Sequence, residues 1–217
     1  MSSKPQTERR TVLIATSNRG KLRDFAAAAV QHGVEVAGIP DFDSIPLPRE
    51  DAPTFEANAC KKAEHYSRYA QGELVLADDS GLRVDALKGA PGVRSARYAA
   101  DENAPSDESQ NSTDKANNDR LLREMNHVAD DHRGARFICS IAVARNGRTV
   151  AVFRGEVEGT MLREPRGSGG FGYDPLFYIE RLGKTFAELT PEEKSEISHR
   201  GQAFAKFLRW CDQQVHT

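Results

Sequence analysis

The run Thr11-Val12-Leu13-Ile14-Ala15-Thr16 is apolar and β-branched, and it stops at Ser17-Asn18-Arg19-Gly20 just before Lys21. Leu22, Phe25, Ala26 and Ala29 then recur at helical spacing, so Lys21 to His32 reads as a helix behind a strand and a tight turn. The rest of the chain repeats that alternation. Val34 to Ile39 is a second strand, followed by a proline-rich loop, Pro40 to Pro53, whose last proline suits the first turn of the next helix. Along that helix Phe55, Ala59, Ala63, Tyr66 and Ala70 form one stripe, while Asn58 and Lys62 share a neighbouring face. Leu74 to Ala77 is a fully apolar strand that ends in the turn Asp78-Asp79-Ser80-Gly81. A helix is expected over Thr113 to Met125. Asn146-Gly147, between the β-rich runs Phe137 to Ala144 and Thr149 to Val157, is a hairpin signal that gives the sheet an antiparallel part. Pro175 to Ile179 is a last strand, and Thr190-Pro191-Glu192-Glu193 and then Ser198 start two closing helices, the second running to about Cys211. The expected fold is α/β, a mixed sheet flanked by helices, as a single domain over 11–217 behind a flexible polar leader at 1–10.

The 217 residues carry 30 Lys and Arg against 32 Asp and Glu, a formal charge of −2. That balance, with no basic face interleaved with aromatics, argues against nucleic acid as a partner. Apolar stretches are strand-sized, well short of the roughly 20 residues of a spanning helix, so no membrane partner is expected. The leader has no apolar core of a secretory signal. Cys60, Cys139 and Cys211 show neither CxxC nor metal-ligand spacing, which suits reduced thiols in a cytoplasm. Asp101 to Ser112 is polar and low in complexity, the text of a surface loop.

Gly20-Lys21 has Ala15 where a P-loop needs glycine and Leu22 where it needs Ser or Thr, so it is not a P-loop. Gly167 to Gly172 matches G-x-G-x-x-G in letters but precedes a strand, which excludes a dinucleotide fingerprint. The Thr16 to Lys21 turn suits phosphate for another reason: a helix start aims N–H groups and the positive dipole end at one spot, and Ser17, Asn18 and Lys21 add donors and charge. A helix cap beside a solvated lysine would use the same letters. Asp78 and Asp79 repel one another and are costly to bury, so the pair suits a hard cation or a proton transfer, with Glu50 as a third acid. The alternative is one turn-capping Asp beside a solvated one. Phe171 to Asp174 offers an aromatic face and an acceptor to a planar base, while Lys194 with Ser198-His199-Arg200 offers donors suited to a keto oxygen. The other five histidines read as surface residues.

Six segments in order resemble the inosine/xanthosine triphosphate pyrophosphatases (Ham1-like), house-cleaning enzymes of the nucleotide pool. They are Ala15-Thr16-Ser17-Asn18 with Lys21; Thr54-Phe55-Glu56 with Asn58-Ala59 and Lys62-Ala63; Ala77-Asp78-Asp79-Ser80-Gly81-Leu82; Gly89-Ala90-Pro91-Gly92-Val93 with Ser95-Ala96-Arg97-Tyr98; Gly169-Gly170-Phe171-Gly172-Tyr173-Asp174-Pro175; and Lys194-Ser195 with Ser198-His199-Arg200-Gly201. The resemblance covers Thr11 to Leu208. It implies an elongated molecule with two lobes around a central cleft, a homodimer, and Mg²⁺-dependent hydrolysis of ITP, dITP and XTP to monophosphate and pyrophosphate. It also implies that Thr16, Ser17, Asn18 and Lys21 hold the triphosphate, with Lys62 close by as part of the catalytic apparatus. Asp79 would be base and metal ligand, Asp78 and Glu50 supporting metal ligands, and Ser80 a substrate contact. Phe171, Gly172, Tyr173, Asp174, Lys194, His199 and Arg200 would form the purine pocket. Family members often carry an acid at the position of Ala57, where this chain has only the neighbouring Glu56. The competing reading is a regulatory protein that binds triphosphates at the Ser17 to Lys21 turn without hydrolysing them; the paired acids argue against it.

Overall fold

The computed structural model describes residues 11–30, 34–70, 72–100 and 111–213. The leader, most of the 101–112 loop, His32 and His216 therefore lie outside the described residues. Among the described residues seven strands form one sheet in the order β2-β1-β3-β4-β5-β6-β7. β1 (Thr11–Ile14) runs parallel to β2 (Glu35–Gly38) and to β3 (Val75–Val84). From β3 onward the pairing is antiparallel, through β4 (Gly134–Arg145), β5 (Arg148–Met161), β6 (Phe177–Ile179) and β7 (Lys184–Thr185). Helices α1 (Arg19–Val30), α2 (Phe55–Ser67), α3 (Asp114–Glu124), α4 (Pro191–Ile197) and α5 (His199–Gln213) complete the fold.

Local chemistry explains the joints. Asn146 and Gly147 both take positive φ, 51° and 78°, the geometry of a two-residue hairpin turn that matches strand twist. Thr190 and Glu193 form a reciprocal capping box with Pro191 in the first turn of α4. Pro53 does not enter α2 as expected: the Thr54 hydroxyl accepts from the Ala57 N–H at 3.2 Å, so the cap falls one residue later. The last expected strand starts at Phe177, beyond Pro175, which has no N–H for a ladder. Of the histidines read as surface residues, His127 and His132 are exposed and His65 is half-buried.

β3 is longer than its apolar start suggests. The strand does not stop at Asp78; it continues to Val84, because β4 pairs with it without interruption from Val75↔Ala144 to Val84↔Ala135. Leu76 faces α1 and α5, packing with Phe25, Phe204 and Phe207. Val75 and Ala77 face α2, packing with Ala59, Ala63 and Tyr66. Farther along, Leu82 and Val84 enter a separate core with Phe137, Tyr173, Phe177 and Phe186. Asp78 to Gly81 thus lie where the strand passes from the first cores to the next.

Candidate active site

Successive side chains of a strand point to opposite faces, so Asp78 and Asp79 leave β3 on different sides. Asp78 meets cations from α1 and α5, with Lys21 Nζ 3.0 Å and Arg200 Nη2 3.5 Å from its Oδ2. Ser80, on the same face, donates to that oxygen at 3.2 Å and accepts from Arg200 at 2.8 Å. Asp24, one helical turn after Lys21, accepts from the other terminal nitrogen of Arg200 at 2.7 Å. Burial alone would raise the Asp78 carboxyl, but Lys21 and Arg200 outweigh it and hold the group well below the usual carboxylate range.

Asp79 faces α2. Asn58 donates to its Oδ2 and Lys62 to its Oδ1, each at 3.2 Å, and Lys62 also reaches Glu50 at 2.8 Å. The one-turn spacing of Asn58 and Lys62 puts both on this carboxylate, and Asn58 is itself held by the Ala52 N–H at 2.9 Å. Here burial wins: desolvation pushes Asp79 above its ordinary value in spite of Lys62 and Lys21. Burial pulls Lys62 down, yet Asp79 and Glu50 more than offset it, so the ammonium stays charged. A carboxylate of raised basicity beside a fixed cation suits proton acceptance.

The glycine loop closes the other end of the cleft. A Cβ at Gly20 would come within 2.6 Å of the Phe171 ring, so the α1 turn and the aromatic loop can touch only because position 20 lacks a side chain. Asp174 Oδ2 accepts from the Phe171 N–H at 2.8 Å and from Lys194 at 2.6 Å. From α3, Asp114 accepts from the Gly172 N–H at 2.7 Å and Asn118 donates to the Gly172 carbonyl at 3.0 Å. His199 stacks on Phe137 at 4.8 Å with 8° between the rings, and burial keeps it neutral. Asn18 Oδ1 accepts from the Gly20 and Lys21 N–H groups at 2.8 and 3.1 Å, capping α1.

Apart from Ser198, every site residue nominated from the sequence lines one cavity of about 270 Å³, from Thr16 at the turn to Arg200 on α5. Several do different work from that expected. The terminal nitrogens of Arg200 are tied to Asp24, Asp78 and Ser80. Ser198 caps α5 as its sequence position indicates, its hydroxyl accepting from the Gly201 N–H at 3.1 Å. The Tyr173 ring is buried, its hydroxyl donating to the Ser95 carbonyl at 2.9 Å, and Asp174 is engaged by Lys194. Sequence reasoning missed Asp24, whose i+3 relation to Lys21 was a readable signal. It also missed Asp114 and Asn118, more than 50 positions from the loop they hold, for which no local signal exists.

The family model described as the Ham1 family matches residues 12–210. A dITP/XTP pyrophosphatase of Geobacillus kaustophilus is 49% identical over 195 residues, covering 90% of this chain and 91% of the relative. One from Acidobacterium capsulatum is 49% identical over 199 residues, covering 91% and 96%. Among solved structures, the Staphylococcus aureus Ham1 protein superposes with a TM-score of 0.78 at 36% identity, covering 94% of this chain and 100% of that one. A nucleoside-triphosphatase / dITP/XTP pyrophosphatase from Mycobacterium abscessus gives 0.66 at 37% identity, covering 91% and 98%. The family match over nearly the whole chain and the superposition on a Ham1 protein agree, and the chain belongs to the Ham1 family.

Proposed function

We propose that this chain hydrolyses the non-standard purine nucleoside triphosphates ITP, dITP and XTP to the monophosphate and pyrophosphate. The observation that carries the reading is the cleft itself, which sets a buried Asp79 of raised basicity in one cavity with a helix-start turn, Lys21 and an aromatic loop. The names of the relatives point to the same chemistry. Water gives its proton to Asp79 as its oxygen attacks the α-phosphorus, the α–β anhydride bond breaks, and pyrophosphate leaves. Asn58 and Lys62 hold the accepting carboxylate in place.

Asp79 and Glu50, both reached by Lys62, are hard oxygen donors on one side of the cleft. Two carboxylates completed by substrate phosphates are a donor set suited to Mg²⁺. These two residues would hold the ion, which when bound offsets charge on the departing pyrophosphate. Asp78, on the opposite face with two cations, organises Lys21 and Arg200 toward the triphosphate. The family resemblance supports a homodimer, and the three free cysteines support a reducing cytoplasm.

Base choice follows from donors. Lys194 carries three, of which Asp174 takes one. A purine keto oxygen at C6 satisfies another, whereas the adenine amino group leaves it unpaired. A panel of nucleoside triphosphates with Mg²⁺ tests this: ITP, dITP and XTP should release pyrophosphate readily, GTP poorly, ATP and pyrimidine triphosphates very poorly. Binding of ITP without release of pyrophosphate would overturn the reading in favour of a regulatory role.

A further inference from the structure

We propose that Arg97 binds the pyrophosphate end of the substrate, a role that rests on the reading above. Arg97 closes the 3₁₀ segment Gly92–Arg97, which is seated directly on β3. The Ser95 hydroxyl accepts from the Leu82 N–H at 2.9 Å, and a Cβ at Gly81 would fall 2.3 Å from that hydroxyl. Along the cleft wall the segment runs from the aromatic end, where Tyr173 bonds the Ser95 carbonyl, to the acidic end, where Arg97 Nη2 donates to the Glu50 carbonyl at 3.0 Å. Arg97 therefore sits against the backbone of Glu50, in the cavity that Lys62, Asp79 and Phe171 also line.

Arg97 differs in its pairing from the other cations of the cleft. The cations lining the cavity are Lys21, Lys62, Arg97, Lys194 and Arg200. Four are neutralised by carboxylates: Lys21 by Asp78, Lys62 by Glu50 and Asp79, Lys194 by Asp174, and Arg200 by Asp24. Among the described residues Arg97 has no ion pair; its one bond is to a neutral carbonyl, and its Nε is buried without a partner. A guanidinium presents five donors in a planar fork that matches phosphate oxygens, and a polyanion gains most from a cation not already neutralised.

The test is calorimetric binding of pyrophosphate and of IMP to the full chain with Mg²⁺, for wild type, Arg97→Gln and Arg97→Lys. Arg97→Gln should weaken pyrophosphate by on the order of 10-fold or more, the scale of a lost hydrogen bond to a charged group, and leave IMP within about twofold. Arg97→Lys should recover part of the loss, since it restores charge without the fork. Equal weakening of IMP and pyrophosphate, or unchanged pyrophosphate binding, would overturn the assignment. Should Arg97→Gln prove unfolded, selective loss of pyrophosphate in Arg97→Lys supports the proposal and its absence overturns it. Wild-type protein that releases no pyrophosphate from ITP would instead sink the functional reading itself.

Discussion

Asp78 and Asp79 are covalent neighbours, both buried, yet β3 delivers them into opposite regimes. On the α1 and α5 face, Asp78 has two cations and a serine hydroxyl around one oxygen, and their attraction exceeds the cost of burial. On the α2 face, Asp79 has one close ammonium, shared with Glu50, and an amide; the cost of burial is the larger effect there. Burial is nearly the same on the two faces, so what separates them is how many cations each carboxylate commands. One charge is spent on holding α1 and α5 to the sheet, and the other remains available for a proton.

Replacing Asp78 should have the largest effect. Asp78→Ala leaves Lys21 and Arg200 without their shared counter-charge, and removing one partner of a buried ion pair costs about 3–5 kcal/mol. Denaturant unfolding of the variant should show a loss of that size at neutral pH. The sign with pH is set by the depressed carboxyl: its stabilisation is complete above the ordinary value near 3.8 and fades as pH falls through the lower folded value. The gap between wild type and variant should therefore close only in strong acid. A stability difference near zero at neutral pH would mean that the Asp78 cluster is not structural.

Asp79→Asn should do the reverse. The amide keeps the shape, Lys62 keeps Glu50 and a desolvated charge is removed, while one of the two donors on Asp79 now meets an NH2, so stability should fall far less than in Asp78→Ala. Turnover of ITP should fall by on the order of 10²-fold or more, the usual scale for a lost general base. Near-normal turnover would erase the contrast between the two faces.

What was legible beforehand divides along the same line between local and remote. The α1 start, the Asn146-Gly147 turn, the Thr190 capping box and the joint service of Asn58 and Lys62 all depend on residues within four positions, and the letters show them. The length of β3 does not, because Asp78 to Gly81 look like a turn until β4, more than 50 positions later, supplies a ladder that carries the polar residues. Nor does the engagement of Arg200 by Asp24, 176 positions away, which places an expected base-reading donor at the centre of an ion cluster. The residue types that line the cleft could be named from sequence; which carboxylate each cation would meet is decided by the sheet order.

The finest test asks how far the two faces are electrically separate. Lys62 is the foremost cation lowering Asp79, and Lys21, which touches Asp78, is the next. Lys62→Met removes the direct partner, so the Asp79 carboxyl should rise further. Lys21→Met removes a charge paired on the other face and should move it less. A higher value means more protonated carboxyl at any given pH, so the acid limb of kcat/KM for ITP should shift toward higher pH in the same order. Carboxyl NMR titration without added metal reads the group directly, and the rate profile with Mg²⁺ reads its use. Equal shifts from the two lysines, or the larger one from Lys21, would show that both aspartates titrate in one shared field, and the division of labour across β3 would have to be abandoned.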